Sequence, residues 1–268
     1  MQIFWGLILS AAIGYAGHRK GALSSSGALG AVLVGTLIFG LGGWDWGFLL
    51  IAFFLSSSLL SRYREREKEA LAEKFAKGSQ RDLGQALANG GLGALLAIGA
   101  AFYPHPLWLV AYVGTMATVN ADTWATEIGV LNRTQPRLIT TGRPVEVGTS
   151  GGVSWLGTLA TLAGGLLIGL LAALFQLFSA DGLELWILLL GGAAGGLAGS
   201  LFDSLLGATV QAIYYCDRCA KETERKLHRC GEETRQLRGW RWLNNDLVNL
   251  ISSGVGAAVA LGLALCLS

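Results

Sequence analysis

Long runs of apolar residues, separated by short polar connections, dominate the chain and are typical of a membrane protein. A membrane-spanning helix needs about twenty such residues, and slightly shorter runs can suffice. The second run, which is rich in Ser and Gly after Lys20, could instead be a re-entrant segment. We expect an all-α integral membrane bundle in a single domain, residues 1–268. The pattern predicts eight transmembrane helices, at residues 2–17, 25–42, 44–61, 85–103, 106–125, 152–178, 185–210 and 245–267.

Positively charged residues are confined to alternate connections between these predicted helices. All 20 Lys and Arg residues lie at 19–20, 62–81, 133–143 and 218–241, and the other connections carry none. This asymmetry is the positive-inside pattern, so we expect these four segments to face the cytoplasm and both termini to lie outside. Within the second segment, the charges at 62–77 recur at helical spacing and predict a solvated extension of the third helix.

The composition supports a closely packed membrane bundle. Charged residues make up 14% of the chain, whereas a soluble domain has about a quarter. Gly191, Gly195 and Gly199 are spaced by four, which predicts a face for close helix contact. The apolar start lacks a preceding basic region, so it is expected to be the first helix rather than a cleavable signal. The net charge of +2 gives no indication of a nucleic-acid partner.

Three carboxylates lie within the predicted helices, where an ionisable side chain is costly and is therefore a candidate for function. They are Asp122, Asp203 and Asp246, on the fifth, seventh and eighth helices. All three fall toward the cytoplasmic ends, so three helices bring carboxylates to one depth. Interhelical hydrogen bonding could explain a single polar residue, but carboxylates that gather in this way need a cation. Their hard oxygen ligands favour Mg²⁺.

Other polar residues recur at helical spacing, on faces that we expect to point into the bundle rather than toward lipid. Asp82, Gln85 and Asn89 form such a stripe at the start of the fourth helix. Asn249 continues the face of Asp246 on the eighth helix.

Two loops on the expected cytoplasmic side are rich in groups that bind anions. The loop at 136–153 combines Arg137 and Arg143 with many Gly, Ser and Thr residues, and 149–152 is expected to begin the sixth helix. Free backbone N–H groups and the helix dipole make a helix N-terminus a site for phosphate. The loop at 18–26 is also basic and rich in hydroxyl groups. Either loop could be an ordinary turn, but beside metal-binding carboxylates they provide what phosphoryl transfer requires.

A separate candidate site lies in the last basic connection, residues 211–243, where four soft ligands occur with the spacing C-x2-C-x8-H-x-C. These residues are Cys216, Cys219, His228 and Cys230. A cytoplasmic loop disfavours disulfide bonds, so the set predicts a small structural zinc site with no open position for catalysis. The alternative is a group of free thiols in a charged loop.

The polar motifs taken together resemble a known transmembrane family over nearly the full length of the chain. The matching motifs are H-R-K at 18–20, S-G-A at 26–28, R-D at 81–82, Q-A-L-A-N-G at 85–90, N-A-D-T-W-A-T-E-I-G at 120–129, T-T-G-R at 140–143, G-T-S-G-G-V at 148–153, G-S-L-F-D-S-L-L-G-A at 199–208 and N-N-D-L-V-N at 244–249. The A-D-T-W-A-T-E block is quite specific. These motifs resemble those of the family that contains the phytyl-phosphate kinases of tocopherol and phylloquinone synthesis. That family is more distantly similar to the CTP-dependent polyprenol and dolichol kinases and to the CDP-diacylglycerol synthases.

The resemblance implies an enzyme of the bacterial cytoplasmic or thylakoid membrane that phosphorylates an isoprenoid monophosphate, such as phytyl phosphate, with CTP as the expected donor. Asp122 and Asp203, together with Asp246, would hold Mg²⁺. The acceptor phosphate is expected at Arg19, Lys20 and Asn89, and its chain between helices along the glycine faces. The residues expected to contact the nucleotide are Asn120, Glu127, Thr140, Thr141, Gly142, Arg143, Thr149, Ser150, Asn245 and Asn249.

Three alternatives remain open at this point. Cytidylyl transfer from CTP to a lipid phosphate, and phosphorylation of a prenol, would use the same parts. An ion-coupled small-molecule transporter would also use glycine-rich helices and buried carboxylates. The polar groups gather toward one face of the membrane rather than at its midplane, which favours an enzyme.

Overall fold

Long helices dominate the computed structural model, which describes residues 1–64, 68, 80–132, 134–179 and 183–267. A π-helical turn, Ile38–Gly42, continues the second helix. The predicted all-α integral membrane bundle is confirmed. Within the described residues the helices are α1 (Gln2–Arg19), α2 (Ser25–Leu37), α3 (Trp44–Arg62), α4 (Leu83–Phe102), α5 (Leu107–Gly129), α6 (Trp155–Gln176), α7 (Leu185–Thr209) and α8 (Asn245–Leu267).

Six of the described helices are long and apolar enough to cross a membrane, namely all except α1 and α5. One of the six is Ser25–Gly42, which combines α2 with its π-helical turn. This helix favours the spanning interpretation of the second segment over the re-entrant alternative. The orientation of the bundle across the membrane stays a prediction from the charge pattern.

Helix α5 is the central helix of the bundle. Every residue from Leu109 to Ala121 is buried, and α5 packs against α3, α4, α6, α7 and α8. Tyr112 of α5 stacks on Trp46 with ring centroids 4.2 Å apart and donates a 2.8 Å hydrogen bond to its carbonyl oxygen. Because protein surrounds α5, its polar side chains avoid lipid, and the helix can carry Thr, Asn and Asp at low cost.

Helices α6, α7 and α8 approach one another through glycine faces. A methyl group at Gly165 would lie 2.6 Å from the carbonyl oxygen of Gly192, and one at Gly195 would lie 2.8 Å from that of Gly256. Only residues without a Cβ permit this approach, so the predicted close contact at Gly195 is confirmed. Neighbouring helices fill these faces, which leaves no room for the isoprenoid chain that the sequence predicts along them.

The connections that carry Lys and Arg meet at one end of the bundle, which we call the basic end. Arg62 donates a hydrogen bond to the carbonyl oxygen of Lys20. The connection after α1 also forms a β-bridge with Arg81. Arg238 donates to the carbonyl oxygen of Ser150 at 3.3 Å. These contacts link the connections into one surface layer.

Two small antiparallel sheets lie in this layer. In the three-stranded sheet β3 is central, with the strand order β4-β3-β5. Most of the predicted extension of α3, residues 65–67 and 69–77, lies outside the described residues. The strands are β1 (Arg137–Leu138), which pairs with β2 (Gly152–Val153), and β3 (Ile213–Cys216), β4 (Lys221–Thr223) and β5 (Arg235–Arg238).

Candidate active site at the basic end

A polar cavity of about 190 Å³ lies among the basic-end parts of α5, α6 and α7. Three carboxylates line it: Asp122 from α5, Asp203 from α7, and Glu224 from the connection between β4 and β5. Most of the remaining lining consists of Gly, Ser and Thr residues. The fold therefore brings together two of the three carboxylates that the sequence singles out and adds a third.

Hydrogen bonds between α5 and α7 fix the position of Asp122. Its Oδ1 accepts a hydrogen bond from Ser200 Oγ at 3.2 Å. One turn earlier, Thr118 Oγ1 donates to the carbonyl oxygens of Gly114 at 2.9 Å and Gly195 at 3.0 Å. The Asp122 carboxylate is thus held on a packed helix pair, as a precise ligand requires.

Asp203 and Asn249 each present an oxygen without a partner. Asp203 Oδ2 and Asn249 Oδ1 are buried and have no hydrogen-bond donor among the described residues. An unsatisfied buried polar atom costs about 1–3 kcal/mol. Asp203 lines the cavity, whereas Asn249 does not. Asp203 Oδ2 is therefore the candidate to bind a ligand that supplies the missing positive charge or donor.

The charge of the cavity lining is unbalanced. No Lys or Arg is found among the described residues that line it, yet Asp203 lies close enough to Asp122 and Glu224 for electrostatic interaction with both. Clustered carboxylates repel unless a proton or a cation compensates them. Carboxylate and hydroxyl oxygens fit Mg²⁺, so these three residues could hold it.

The start of α6 differs from the prediction. The helix begins at Trp155, and its N-cap Ser154 accepts a 3.1 Å hydrogen bond from the backbone N–H of Gly157. The expectation that 149–152 forms the helix N-terminus is therefore wrong. The preceding residues form a turn and strand β2 instead of helix. The positive end of the helix dipole therefore lies at Ser154, which also lines the cavity.

The loop at 148–152 keeps its capacity to bind an anion. Gly148 and Gly151 have φ angles of 81° and 83°, a backbone conformation that favours glycine. The backbone N–H groups of Gly148, Ser150 and Gly151 have no acceptor among the described residues. Thr149 and Ser150 both line the cavity, as the sequence predicts. Free amides in a tight turn form an anion-binding concavity.

A chain of hydrogen bonds connects this loop to Glu224. Ser150 Oγ donates to Gln211 Oε1 at 3.0 Å, and Gln211 Nε2 donates to Glu224 Oε1 at 2.8 Å. Arg238 of β5 also donates to the carbonyl oxygen of Gly207 at 2.5 Å. Burial lowers the pKa of Arg238. The segment at 211–243 therefore holds Glu224 at the cavity.

Several predicted nucleotide contacts lie outside the cavity lining. The predicted residues between β1 and β2 form an exposed turn, which Arg137 braces by donating to a carbonyl oxygen at 2.8 Å. Asn245 lines the cavity, whereas the neighbouring Asp246 does not. The residues of the exposed turn are Thr140, Thr141, Gly142 and Arg143.

Asn120 and Glu127 hold α5 in place rather than line the cavity. Asn120 donates to a backbone carbonyl of α6 at 2.8 Å and accepts from Ser56 of α3 at 2.9 Å. Glu127 accepts from Ser61 at 2.5 Å and from Lys68 at 2.6 Å. Both side chains therefore lie on a different face of α5 from Asp122, where they form hydrogen bonds with neighbouring helices and with Lys68.

A second cavity, of about 70 Å³ and largely apolar, lies among α1, α2, α3 and α4. Asn89 lines this cavity together with Gln85 and Arg81. The Arg81 guanidinium carbon lies 5.9 Å from the ring centroids of both Phe53 and Phe54, and burial lowers the pKa of Arg81. The structure therefore places Asn89 away from the polar cavity.

The other residues that the sequence predicts to contact the acceptor phosphate also lie at the basic end of the bundle. Arg19 and Lys20 are exposed at the end of α1. Asp82 forms a capping box with Gln85, with hydrogen bonds of 2.9 and 3.2 Å. The stripe predicted from Asp82 to Asn89 is thus divided between a helix cap and the apolar cavity.

Sequence reasoning missed Ser200 and Glu224. Ser200 lies three residues before Asp203 on one face of α7, and this spacing was an available signal. Glu224 lies in a charged connection among many exposed charges, and only the folding of 211–243 brings it to the cavity.

The four predicted zinc ligands come together at the basic end, outside the lining of the polar cavity. The ligand atoms of Cys216, Cys219, His228 and Cys230 all lie within 4.8 Å of one another. The hydrogen bond with His228 lowers the pKa of the Cys230 thiol to about 6.

Comparison with known proteins identifies the family. Residues 8–257 match the family described as integral membrane protein DUF92, so the chain belongs to that family. Protein PGR of Arabidopsis thaliana is 34% identical over 94% of this chain and 92% of its own length. An uncharacterised membrane protein of Methanocaldococcus jannaschii is 32% identical over 97% and 93%. Protein VTE6, chloroplastic, of Arabidopsis thaliana is 30% identical over 89% and 64%.

These matches confirm the predicted membrane family and a multi-pass membrane protein. No solved structure matches the chain.

Proposed function

We propose that this member of the DUF92 family is a membrane lipid kinase that phosphorylates an isoprenoid monophosphate. The motif resemblance favours CTP as the donor and phytyl phosphate as the acceptor. In this reaction an acceptor phosphate oxygen forms a bond to the γ-phosphorus. The bond from that phosphorus to the β–γ bridging oxygen breaks, and the nucleoside diphosphate leaves with the electron pair.

One observation carries the proposal: Asp122, Asp203 and Glu224 line one cavity with no Lys or Arg among its described lining residues. Such a cavity attracts a divalent cation, and the adjoining loop offers free amides to an anion. Cation and anion sites side by side match the need of a metal–nucleotide complex.

The cavity residues would have different roles in binding the metal ion. Asp122 and Asp203 would hold Mg²⁺, with Glu224 as a third ligand. When bound, Mg²⁺ would supply the positive charge that offsets the negative charge of the phosphates. Ser200 orients Asp122 through its 3.2 Å hydrogen bond, while the unpartnered Oδ2 of Asp203 remains free for the ion.

The loop at 148–152 would bind the triphosphate. The amides of Ser150 and Gly151 donate to phosphate oxygens, and the exposed Arg143 adds a charge from the neighbouring turn. The acceptor is already an anionic nucleophile, so the reaction needs no strong general base. The absence of His from the described lining residues agrees with this requirement.

We assign the first isoprene units of the acceptor to the apolar cavity. Its lining is largely apolar, and its charged residue, Arg81, lies at the basic end. Gln85 and Asn89 add hydrogen-bonding groups for a phosphate at the same cavity.

Product analysis tests the proposal. Purified protein in lipid nanodiscs is given CTP labelled in the γ-phosphate, with Mg²⁺ and phytyl phosphate. The proposal predicts label in a lipid diphosphate and release of CDP. Pyrophosphate release with a cytidylated lipid would instead establish cytidylyl transfer. No nucleotide consumption with any prenyl phosphate or prenol would contradict both enzyme functions and favour a transporter.

A further inference from the structure

We propose that Cys216, Cys219, His228 and Cys230 bind one structural zinc ion, and that this ion folds the segment 211–243 so that it holds Glu224 at the polar cavity. The zinc site stands independently of the kinase reaction. Its effect on nucleotide binding rests on the proposed function.

The geometry of the four side chains fits a tetrahedral ion. The Sγ atoms of Cys216 and Cys230 lie 3.7 Å apart. With Zn–S bonds of about 2.3 Å, two sulfurs of a tetrahedral site are separated by roughly 3.8 Å. His228 Nδ1 lies 3.2 Å from Cys230 Sγ. All four ligand atoms lie within 4.8 Å of one another, so one ion can contact each of them.

Two tight turns present the ligands in pairs. Ala220, directly after Cys219, has a φ of 53°, and Gly231, directly after Cys230, has a φ of 84°. The left-handed conformation is strained for a residue such as Ala, so it persists only where other interactions impose it. A bound ion that draws Cys216 and Cys219 together provides such an interaction.

The hydrogen bonds of the second turn also suit a thiolate. The backbone N–H of Gly231 donates to the carbonyl oxygen of His228 at 2.9 Å, which closes the turn. The backbone of Glu232 hydrogen-bonds to the sulfur of Cys230. Ring atom Nε2 of His228 is buried and has no partner among the described residues. The other ring nitrogen, Nδ1, is contacted by the sulfur and the backbone N–H of Cys230, so Nε2 is the ring nitrogen without a described partner.

The segment at 211–243 has too little apolar interior to fold without help. Its buried apolar side chains are few: Ala212, Ile213, Tyr214, Cys216 and Leu243. Units of fewer than about 40 residues usually need a metal, disulfides or a partner surface to fold. Contacts with the bundle, such as that of Arg238 with Gly207, supply part of this stabilisation. The cysteines are free, so a metal ion bound by them can supply the rest.

The metal-bound fold would set the position of Glu224. This residue directly follows strand β4, which pairs with β3 beside Cys216. Glu224 is then held by Gln211 and lines the polar cavity. Gly239, with a φ of 82°, packs so closely that a methyl group there would lie 1.9 Å from Gln211 O. The zinc cluster and Glu224 are therefore parts of one rigid connection.

Metal analysis of the full-length protein in detergent tests the site. Wild-type protein should contain about one zinc ion per chain. Cys216→Ser and Cys230→Ser should each retain less than about a fifth of that zinc, because each removes one of the two or three thiolates that must hold the ion through purification. Cys266→Ser is the matched control, since Cys266 lies exposed near the end of α8. It should retain zinc in full.

Variants of His228 separate ligand loss from misfolding. His228→Cys supplies a fourth thiolate and should retain zinc, whereas His228→Ala should lose it. Wild-type protein without zinc, or full zinc retention in Cys216→Ser, would overturn the site. Equal zinc loss in His228→Cys and His228→Ala would also overturn the assignment of His228 as a ligand.

Limited proteolysis of wild-type protein tests the folding role without any mutation. Arg218, Lys226 and Arg229 are exposed trypsin sites in the segment. Removal of zinc with a chelator should accelerate cleavage there by at least about tenfold. An unchanged cleavage rate would overturn the folding role. These readouts involve no nucleotide, so a failure of the kinase proposal would leave them unaffected. CTP binding is measured after the chelator has been removed and Mg²⁺ restored. Weaker binding by the zinc-free protein would link the zinc to the cavity, and unchanged binding would overturn that link.

Discussion

The polar cavity between α5, α6 and α7 and the apolar cavity between α1 and α4 differ in nearly every property that determines ligand chemistry. The polar cavity has three carboxylates, a loop with free amides and no described Lys or Arg in its lining. The apolar cavity has mostly hydrocarbon walls and, among the residues that the structure describes, a single charged residue of opposite sign, Arg81. The contrast agrees with the proposed division, in which a metal–nucleotide complex binds in the polar cavity and an amphiphilic lipid phosphate binds in the apolar cavity.

The packing around the two cavities explains why both can exist in one bundle. Around the polar cavity, glycine faces bring α6, α7 and α8 into direct backbone contact, so the helices hold their polar residues rigidly. Around the apolar cavity, bulky side chains such as Phe39 and Phe53 leave a gap that protein atoms do not fill. Rigid polar walls suit phosphate and metal geometry, whereas a flexible alkyl chain needs only apolar volume.

Asp203→Asn should have the largest effect on turnover, and it should change the polar cavity without changing the apolar one. The amide keeps the size of the side chain but lacks the charge that binds the cation, so turnover should fall by about a thousandfold or more. Lipid binding should persist. Turnover with labelled CTP, combined with helical content by circular dichroism, measures both chemistry and folding. Asp246→Asn is the control, because Asp246 lies outside the cavity lining. Equal losses of turnover in Asp203→Asn and Asp246→Asn would contradict a special role for the carboxylates that line the cavity.

Gly151→Ala should be the next most severe change on the polar side. Gly151 has a φ of 83°, and a methyl group there would lie 2.5 Å from the backbone N of Ala208. The loop must move, and KM for the nucleotide should rise by about tenfold or more. Gly142→Ala is matched in conformation, with a φ of 67°, but has open space around it. A similar rise in KM for Gly142→Ala would attribute the effect to backbone strain alone.

Ala31→Leu tests the apolar side. Ala31 lines the apolar cavity, so the added carbons occupy volume assigned to the isoprene units. KM for phytyl phosphate should rise by about five- to tenfold, while KM for CTP stays constant. Ala258→Leu, at an exposed position on α8, controls for added bulk at the membrane surface. Unchanged lipid KM in Ala31→Leu would contradict the assignment of the chain to this cavity.

Glu127→Gln should have the smallest effect on activity. Glu127 accepts hydrogen bonds from Ser61 and Lys68 on a face of α5 away from the polar cavity. Loss of this partly buried ion pair should reduce the free energy of unfolding by about 1–3 kcal/mol, with turnover changed by less than about threefold. Activity assays beside thermal unfolding measure both quantities. A loss comparable to that of Asp203→Asn would place Glu127 in the catalytic cavity after all.

The helices were predictable because apolar runs and charged connections depend only on local composition. Asp122 and Asp203 were predictable for a related reason, since a carboxylate inside an apolar helix is costly wherever it points. The same reasoning did not separate them from Asp246, because the direction of a side chain depends on how its helix is rotated in the bundle. Asn120 and Glu127 lie in the same motif as Asp122, but the 3.6-residue period directs them to other helices.

The parts that escaped prediction depend on tertiary structure or on turn conformation. The G-T-S-G-G sequence at 148–152 is compatible with a helix start, but the positive φ angles of Gly148 and Gly151 make it a turn. Glu224 reaches the cavity only when three short strands and the cysteine cluster fold together. The division of Asp82 and Asn89 between a cap and the apolar cavity follows from contacts with α1, α2 and α3 that the sequence does not reveal.

Binding of CTP to purified protein, titrated with and without Mg²⁺, tests the central proposal most directly. If the carboxylates of the polar cavity hold the metal–nucleotide complex, wild-type protein should bind CTP in the presence of Mg²⁺. Asp203→Asn should then bind it at least about tenfold more weakly. Binding that is independent of Mg²⁺, or equal affinity in Asp203→Asn, would contradict the proposal.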